Sequence, residues 1–272
     1  MEDRCFGCER EWGVLDMARE MFETRRPWYH FSVDDVFDAL IEVSDRQLPL
    51  FEHPFFRFLK EVHDEFGSHV SLYLFYQKSI QGRMRTLAGI SEANAVAWED
   101  NQWLQLGPHA LDPETPPYAQ SPSEQRKTFD AIYAELERFA AKGKRSKWVR
   151  LHYFSESYEL AEYLKTKGVE ALLSTDKEAV SYRLPIREKE QLRNEDVCAY
   201  RGMTFIRSHL RIETLVHDGV SSCAVYGAIK PILSRLGHIV IMTHEYELAR
   251  PEVRAMTVST LWRLKEHGVY SL

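Results

Sequence analysis

The chain has 272 residues, 44% hydrophobic and 28% charged, with a net charge of −6 and a pI near 6.0. That length can bury a sizeable core in a single domain spanning 1–272, and the acidic balance excludes a nucleic-acid surface. No run of about eighteen apolar residues supplies a membrane span. The opening residues, Met1-Glu-Asp-Arg-Cys-Phe-Gly-Cys8, show no basic segment leading into an apolar core. No signal peptide is therefore expected, and a cytoplasmic location is.

Four cysteines occur, at Cys5, Cys8, Cys198 and Cys223. Cys5 and Cys8 form a C-x-x-C. A zinc knuckle wants a second close pair, which Cys198 and Cys223 do not make, so reduced thiols are expected.

Residues 9–24 set Trp12, Val14, Leu15, Met17, Met21 and Phe22 at helical spacing among charges, which predicts an amphipathic N-terminal helix ended by Arg25-Arg26-Pro27. Tyr29–Val33 reads as the first strand. A helix follows over 36–43, with Val36, Phe37, Leu40, Ile41 and Val43 apolar. After a loop over 46–54, residues 55–66 form a helix stopped by Gly67. Val70–Tyr76 is a near-continuous apolar strand of the kind covered on both faces. Residues 77–101 hold no clear period beyond a helix over 90–98. Trp103–Leu106 reads as a strand ending in Gly107-Pro108-His109, and a proline-rich loop spans 112–122. Ser121 or Ser123 caps a long helix to about Lys142, with Phe129, Ile132, Leu136 and Phe139 facing inward.

Trp148–Phe154 is the next predicted strand, 157–167 a helix ended by Gly168, and Val169–Leu173 a short strand. From 176 to 219 the pattern weakens and charge rises, which suggests an insertion or cap. Residues 227–236 read as a helix, His238–His244 as a buried strand, and Pro251 opens the last helix. Val269–Leu272 is a final strand. Strands and helices alternate throughout, which implies an α/β fold with a mostly parallel sheet or barrel.

Four of these strands end in groups able to bind a metal: Asp34-Asp35, His109, His152 and His244. In a parallel barrel such ends share one rim. Two adjacent carboxylates repel unless a cation stands beside them. Carboxylate and imidazole together suit zinc and similar divalent ions, which activate water at an open position. Each group also has a plainer role. Asp34 and Asp35 could cap the helix that follows. His109 could bond to loop backbone, His152 could pack into the sheet, and Arg207-x-His209-x-Arg211 could be a solvated face or an anion grip.

Ser32-Val33-Asp34-Asp35-Val36 resembles the T-F-D-D-G motif of the NodB-like polysaccharide deacetylases, carbohydrate esterase family 4. Arg150-Leu-His152-Tyr153 is similar to that family's R-x-P-Y, and Met242-Thr-His244 to its L-x-H. Its H-[ST]-x-x-H motif keeps the first histidine at His109 but meets Pro113 in place of the second; its fourth motif has no match. The resemblance implies a distorted (β/α) barrel of about seven strands. It implies Asp34 as general base, His244 as general acid, Arg150 bracing the base, and the Tyr153 backbone at the oxyanion. It also implies Asp35 and His109 as ligands of a divalent metal, with zinc expected. With Pro113 in the second histidine's place, His152 is the expected third ligand and Asp112 its competitor.

The expected function is metal-dependent removal of an N-acetyl group from a carbohydrate or sugar precursor, such as one for surface polysaccharide. The alternative is a catalytically inactive domain that binds a glycan or a protein partner.

Overall fold

The structure, a computed structural model, describes residues 26–140, 143–154, 158–177 and 183–272. The helix expected over 9–24 and the Cys5–Cys8 pair lie outside these residues. β1 (Trp28–Val36) is longer than its apolar run, because it continues through both aspartates. It pairs in parallel with β2 (Val70–Phe75) on one side and β11 (His238–His244) on the other. β5 (Leu104–Ala110) extends the sheet beyond β2, β10 (Leu210–Arg211) extends it beyond β11, and β12 (Tyr270–Ser271) pairs with the start of β1. A second sheet runs β6 (Trp148–Val149), β7 (Ala171–Leu173), β9 (Met203–Ile206) and β8 (Val197–Tyr200), parallel except for the β8–β9 hairpin.

Among the described residues twelve strands thus fall in three sheets, the third being a hairpin of β3 (Gln77–Ile80) and β4 (Arg83–Thr86). The mixed α/β class with a mostly parallel sheet is as expected, but the strands do not form one continuous ladder. The two parallel sheets touch at both margins. Leu106 bonds the 144–146 segment on one side (Leu106 N–H to Lys144 O 2.6 Å, Ser146 N–H to Leu106 O 2.7 Å). On the other, β9 runs on through His209, whose N–H reaches Val240 O at 2.9 Å, into β10.

The alternation along β1 sorts its side chains into two cores. Tyr29, Phe31 and Val33 join a large cluster under the helices. Trp28 instead joins Tyr73, Trp148, Leu173, Ile206 and Val240, one or more from strands of both parallel sheets. Gly107 in β5 makes room for this inner cluster: a Cβ there would stand 3.2 Å from the Tyr73 ring and 3.3 Å from Val149.

Helices α1 (Asp38–Asp45), α2 (Pro54–Phe66), α3 (Ala95–Asp100), α4 (Pro122–Ala140), α5 (Ala161–Thr166), α6 (Ile186–Glu195), α7 (Ile212–His217), α8 (Val225–Leu236) and α9 (Pro251–Glu266) connect the strands. Gly67 ends α2 at φ +67, the left-handed turn a glycine permits. Ser121 and Glu124 form a reciprocal capping box at the start of α4 (Ser121 N–H to Glu124 Oε2 2.8 Å, Glu124 N–H to Ser121 Oγ 3.3 Å).

Three expectations need correction. Trp148–Phe154 is a strand only over Trp148–Val149, since the chain turns away after Arg150 and forms a tight turn with Tyr153 at φ +54 and Phe154 at φ +55. Residues 77–101 hold the β3–β4 hairpin, turned at Gln81-Gly82, both at positive φ. The 176–219 segment carries β9 and β10, which pair with core strands β7 and β11, so part of it belongs to the sheet framework. No helix among the described residues is long and apolar enough to cross a membrane.

Candidate active site

The site begins with an irregularity in β1. Successive strand residues face opposite ways, so Asp34 and Asp35 would ordinarily diverge. The β1–β2 register shifts between Val33 and Val36, and Asp35 sits at φ +61, a conformation that aspartate tolerates better than most residues. Both carboxylates therefore line one pocket of about 360 Å³. Neither caps α1. That helix is capped from a distance by Glu245, whose carboxylate accepts the N–H groups of Phe37 (2.6 Å), Asp38 (3.1 Å) and Ala39 (2.5 Å).

Arg150 joins the two halves of the site. Its fully buried guanidinium donates to Asp34 Oδ1 at 2.9 Å, Ser32 Oγ at 2.7 Å and Ser208 Oγ at 2.9 Å. Its carbonyl lies 2.7 Å from His109 Nδ1. A carbonyl only accepts, so His109 carries its proton on Nδ1 and presents a lone pair at Nε2. His152 is oriented likewise: its Nε2 lies 3.1 Å from the Pro113 carbonyl, which leaves the lone pair on Nδ1. The proline that replaces the second histidine of the resembled motif thus orients His152.

Those two lone pairs meet each other and Asp35. His109 Nε2 stands 3.1 Å from His152 Nδ1 and 3.1 Å from Asp35 Oδ1, and His152 Nδ1 stands 3.4 Å from the same oxygen. Asp35 Oδ1 is buried and has no hydrogen-bond donor. Three acceptors that face one another across 3.1–3.4 Å repel unless a cation lies among them. Ligand atoms each ~2.0–2.1 Å from a tetrahedral zinc stand about 3.3 Å apart. The donor set and its spacing fit a divalent ion, and the second nitrogens are already tied to backbone carbonyls, as metal-binding histidines require. Among the described residues this is the group of acids and histidines able to hold a metal. Asp112, the competing ligand, is turned to local bonds with Gln77 Nε2 (3.0 Å) and the Thr115 N–H (2.7 Å).

His244 closes the opposite wall. It pairs in register with Asp34 across β1 and β11, and its Nδ1 lies 2.5 Å from Glu213 Oε1. Burial lowers the imidazole; Glu213, Asp34 and Asp35 more than offset it, so the His244 pKa is raised. Glu213, in the first turn of α7, was not anticipated. Its signal was the one used for Asp34, an acid where a strand gives way to a helix, hidden because β10 is two residues long. Tyr153 stands at the pocket with 49% of its surface exposed, its ring 4.2 Å from His152. The Arg207-x-His209-x-Arg211 cluster divides. Arg207 bonds the Arg193 and Lys177 carbonyls, His209 accepts the Val240 N–H, and Arg211 lines the pocket.

No family model matches the chain, and no curated protein matches it. Similar solved structures include a polysaccharide deacetylase from Bacillus cereus (14% identity, 90% of each chain, TM-score 0.47). A protein assigned as a polysaccharide deacetylase from Mycobacterium smegmatis is 12% identical over 92% of this chain and 91% of that one, at a TM-score of 0.49. The 4-alpha-glucanotransferase of Thermococcus litoralis is 14% identical, at a TM-score of 0.53, over 92% of this chain and 39% of its own. The chain spans about two fifths of that enzyme's length. What the glucanotransferase likeness shows is the fold alone, a mixed α/β chain with a mostly parallel sheet.

Proposed function

We propose that the chain is a metal-dependent hydrolase that removes an N-acetyl group from a carbohydrate or sugar precursor. One observation carries this reading: Asp35 Oδ1, His109 Nε2 and His152 Nδ1 point acceptor atoms at one another inside a pocket that also holds Asp34 with Arg150 and His244 with Glu213. Asp35, His109 and His152 would hold the ion, with zinc favoured by the ligand types. When bound, it supplies Lewis acidity and a water ionisable near neutral pH.

The chain's own groups do the rest. Arg150 holds Asp34 in place through their ion pair, and Asp34 takes the proton from the attacking water. His244, held protonated by Glu213, gives a proton from Nε2 to the leaving nitrogen, so amide and water become acetate and amine. The Tyr153 backbone N–H contributes at the oxyanion. We infer that the two parallel sheets act as one distorted ring of about seven strands that gathers these groups at one rim. The specific acetyl and carbohydrate assignment draws on the motif resemblance. The alternative, a non-catalytic glycan- or protein-binding domain, drew on the missing second histidine; the position of His152 weakens that ground.

The test is metal content and acetate release together. The purified chain should carry about one divalent ion, and a chelator should remove both the ion and acetate release from N-acetylated sugars. A His152→Ala protein should lose the ion. Full metal content in that variant, or acetate release indifferent to chelator, would rule the assignment out.

A further inference from the structure

Two cations at the pocket have no part in that chemistry, and they come from strands other than those that bring the ligand triad. Arg211 ends β10 and pairs with Met242, two residues ahead of His244 on β11. One arm of its guanidinium donates to Asp176 Oδ1 at 2.7 Å, and the group lies 5.4 Å over the Phe154 ring. Its Nε is buried and has no acceptor. Lys177, in the segment after β7, lines the same pocket and is exposed; among the described residues no carboxylate pairs with its ammonium.

Charge at the pocket is otherwise matched. Arg150 answers Asp34, His244 answers Glu213, Arg211 answers Asp176, and Asp35 belongs to the cation site. A neutral sugar would leave the Lys177 ammonium at the pocket with no charged partner among the described residues, and the Arg211 guanidinium with Asp176 alone. A guanidinium and an ammonium together make a grip for an oxyanion, the first by its planar fork and the second as a mobile point charge. Tyr246, 59% exposed, and Tyr153 add aromatic faces for a sugar ring beside it.

We infer that the substrate is an N-acylated sugar carrying an anionic group, a carboxylate or a phosphate, held by Arg211 and Lys177 while its acyl nitrogen lies at the Asp35–His109–His152 end. This rests on the hydrolase reading for the acyl group and adds the charge.

Isothermal titration calorimetry on the zinc-supplemented full chain tests it, with glucose 1-phosphate, glucuronate and glucose as probes. None carries an acyl group, so none is consumed. At least one anionic probe should bind about tenfold tighter than glucose, and Arg211→Gln and Lys177→Gln should each remove about that factor while glucose binding stays within about twofold. The stronger anion tells phosphate from carboxylate. Lys177→Gln changes an exposed side chain, so it keeps the test readable if Arg211→Gln fails to fold. Glucose binding as tightly as both anions, an equal loss for all three probes in Lys177→Gln, or no binding of either anion at millimolar concentration overturns the proposal. Failure of the hydrolase reading looks different: no chelator-sensitive acetate release, with the preference for anions intact.

Discussion

The two ends of the strand assembly bury similar groups and treat them in opposite ways. Toward the strand starts, His30 Nε2 lies 3.2 Å from the Tyr73 hydroxyl, which donates to the Trp148 carbonyl at 2.7 Å. Ser71 and Ser146 bond each other at 2.9 Å nearby. Burial, helped by Arg150, pushes His30 down to about 3, and burial pushes the Tyr73 phenol up, so both are neutral at ordinary pH. Toward the strand ends, Asp35, His109 and His152 turn acceptor atoms toward one another, and Asp35 Oδ1 has no hydrogen-bond donor. A closed polar network specifies and stabilises a core, whereas one left open marks a place completed by something else.

Arg150 is the largest lever on this contrast, because it bonds Asp34 at the pocket end while being as buried as any core residue. Arg150→Met should destabilise the chain by about 3–5 kcal/mol, since Asp34 would be left as an uncompensated buried charge. Denaturant unfolding of the metal-free protein measures it. A loss below about 1 kcal/mol would mean that Asp34 is solvated or protonated, and the comparison would break.

Tyr73→Phe probes the closed network. It removes the hydroxyl partner of His30 and one of two donors to the Trp148 carbonyl, Ser146 Oγ being the other, and should cost about 1–3 kcal/mol by the same measurement. Metal content should not change. Loss of metal in this variant would show that the two ends are not separable.

Most of the framework was legible in the sequence because buried parallel strands appear as continuous apolar runs. His238–His244 is a strand at the expected residues, and Val70–Phe75 falls one residue short of its expected run. What escaped was short or polar. The β3–β4 hairpin is built from Gln77, Lys78, Ser79, Arg83 and Arg85, and its alternation carries little hydrophobic signal. β9 and β10 were obscured by the surrounding charge. The residues of the site were legible as polar groups after apolar runs. Their convergence was not, because it depends on the Asp35 bulge, the Tyr153–Phe154 turn and the Pro113 carbonyl. Glu213 was missed because a two-residue strand leaves no run to read.

The His244–Glu213 pair sharpens the comparison from the other wall. His30 is neutral by burial, while His244, also largely buried, has its pKa raised by neighbouring acids. The stabilisation from protonated His244 is therefore full below the ordinary imidazole pKa near 6.5 and is lost as pH rises through the raised folded value. Glu213→Gln should lower that pKa, by up to about one unit or ~1.4 kcal/mol, and move the alkaline limb of activity toward lower pH. NMR titration of the His244 ring follows the first effect without any need for turnover. An unmoved or higher pKa would remove Glu213 from the proton-donating arrangement.

The smallest expected effect is the most discriminating. In the metal-free protein, His152→Ala removes a ring whose lone pair faces two other acceptors, so the lost packing against Phe75 and Tyr153 is offset by relief of that repulsion. The change in unfolding free energy should lie within about 1 kcal/mol of zero, far below the usual cost of truncating a packed core side chain. Adding zinc should then separate the proteins: wild type gains about 2.7 kcal/mol at a hundredfold excess over Kd, and the variant gains much less at the same concentration. A large metal-free loss with an undiminished zinc response would make His152 a packing residue like His30, and the difference between the two ends would disappear.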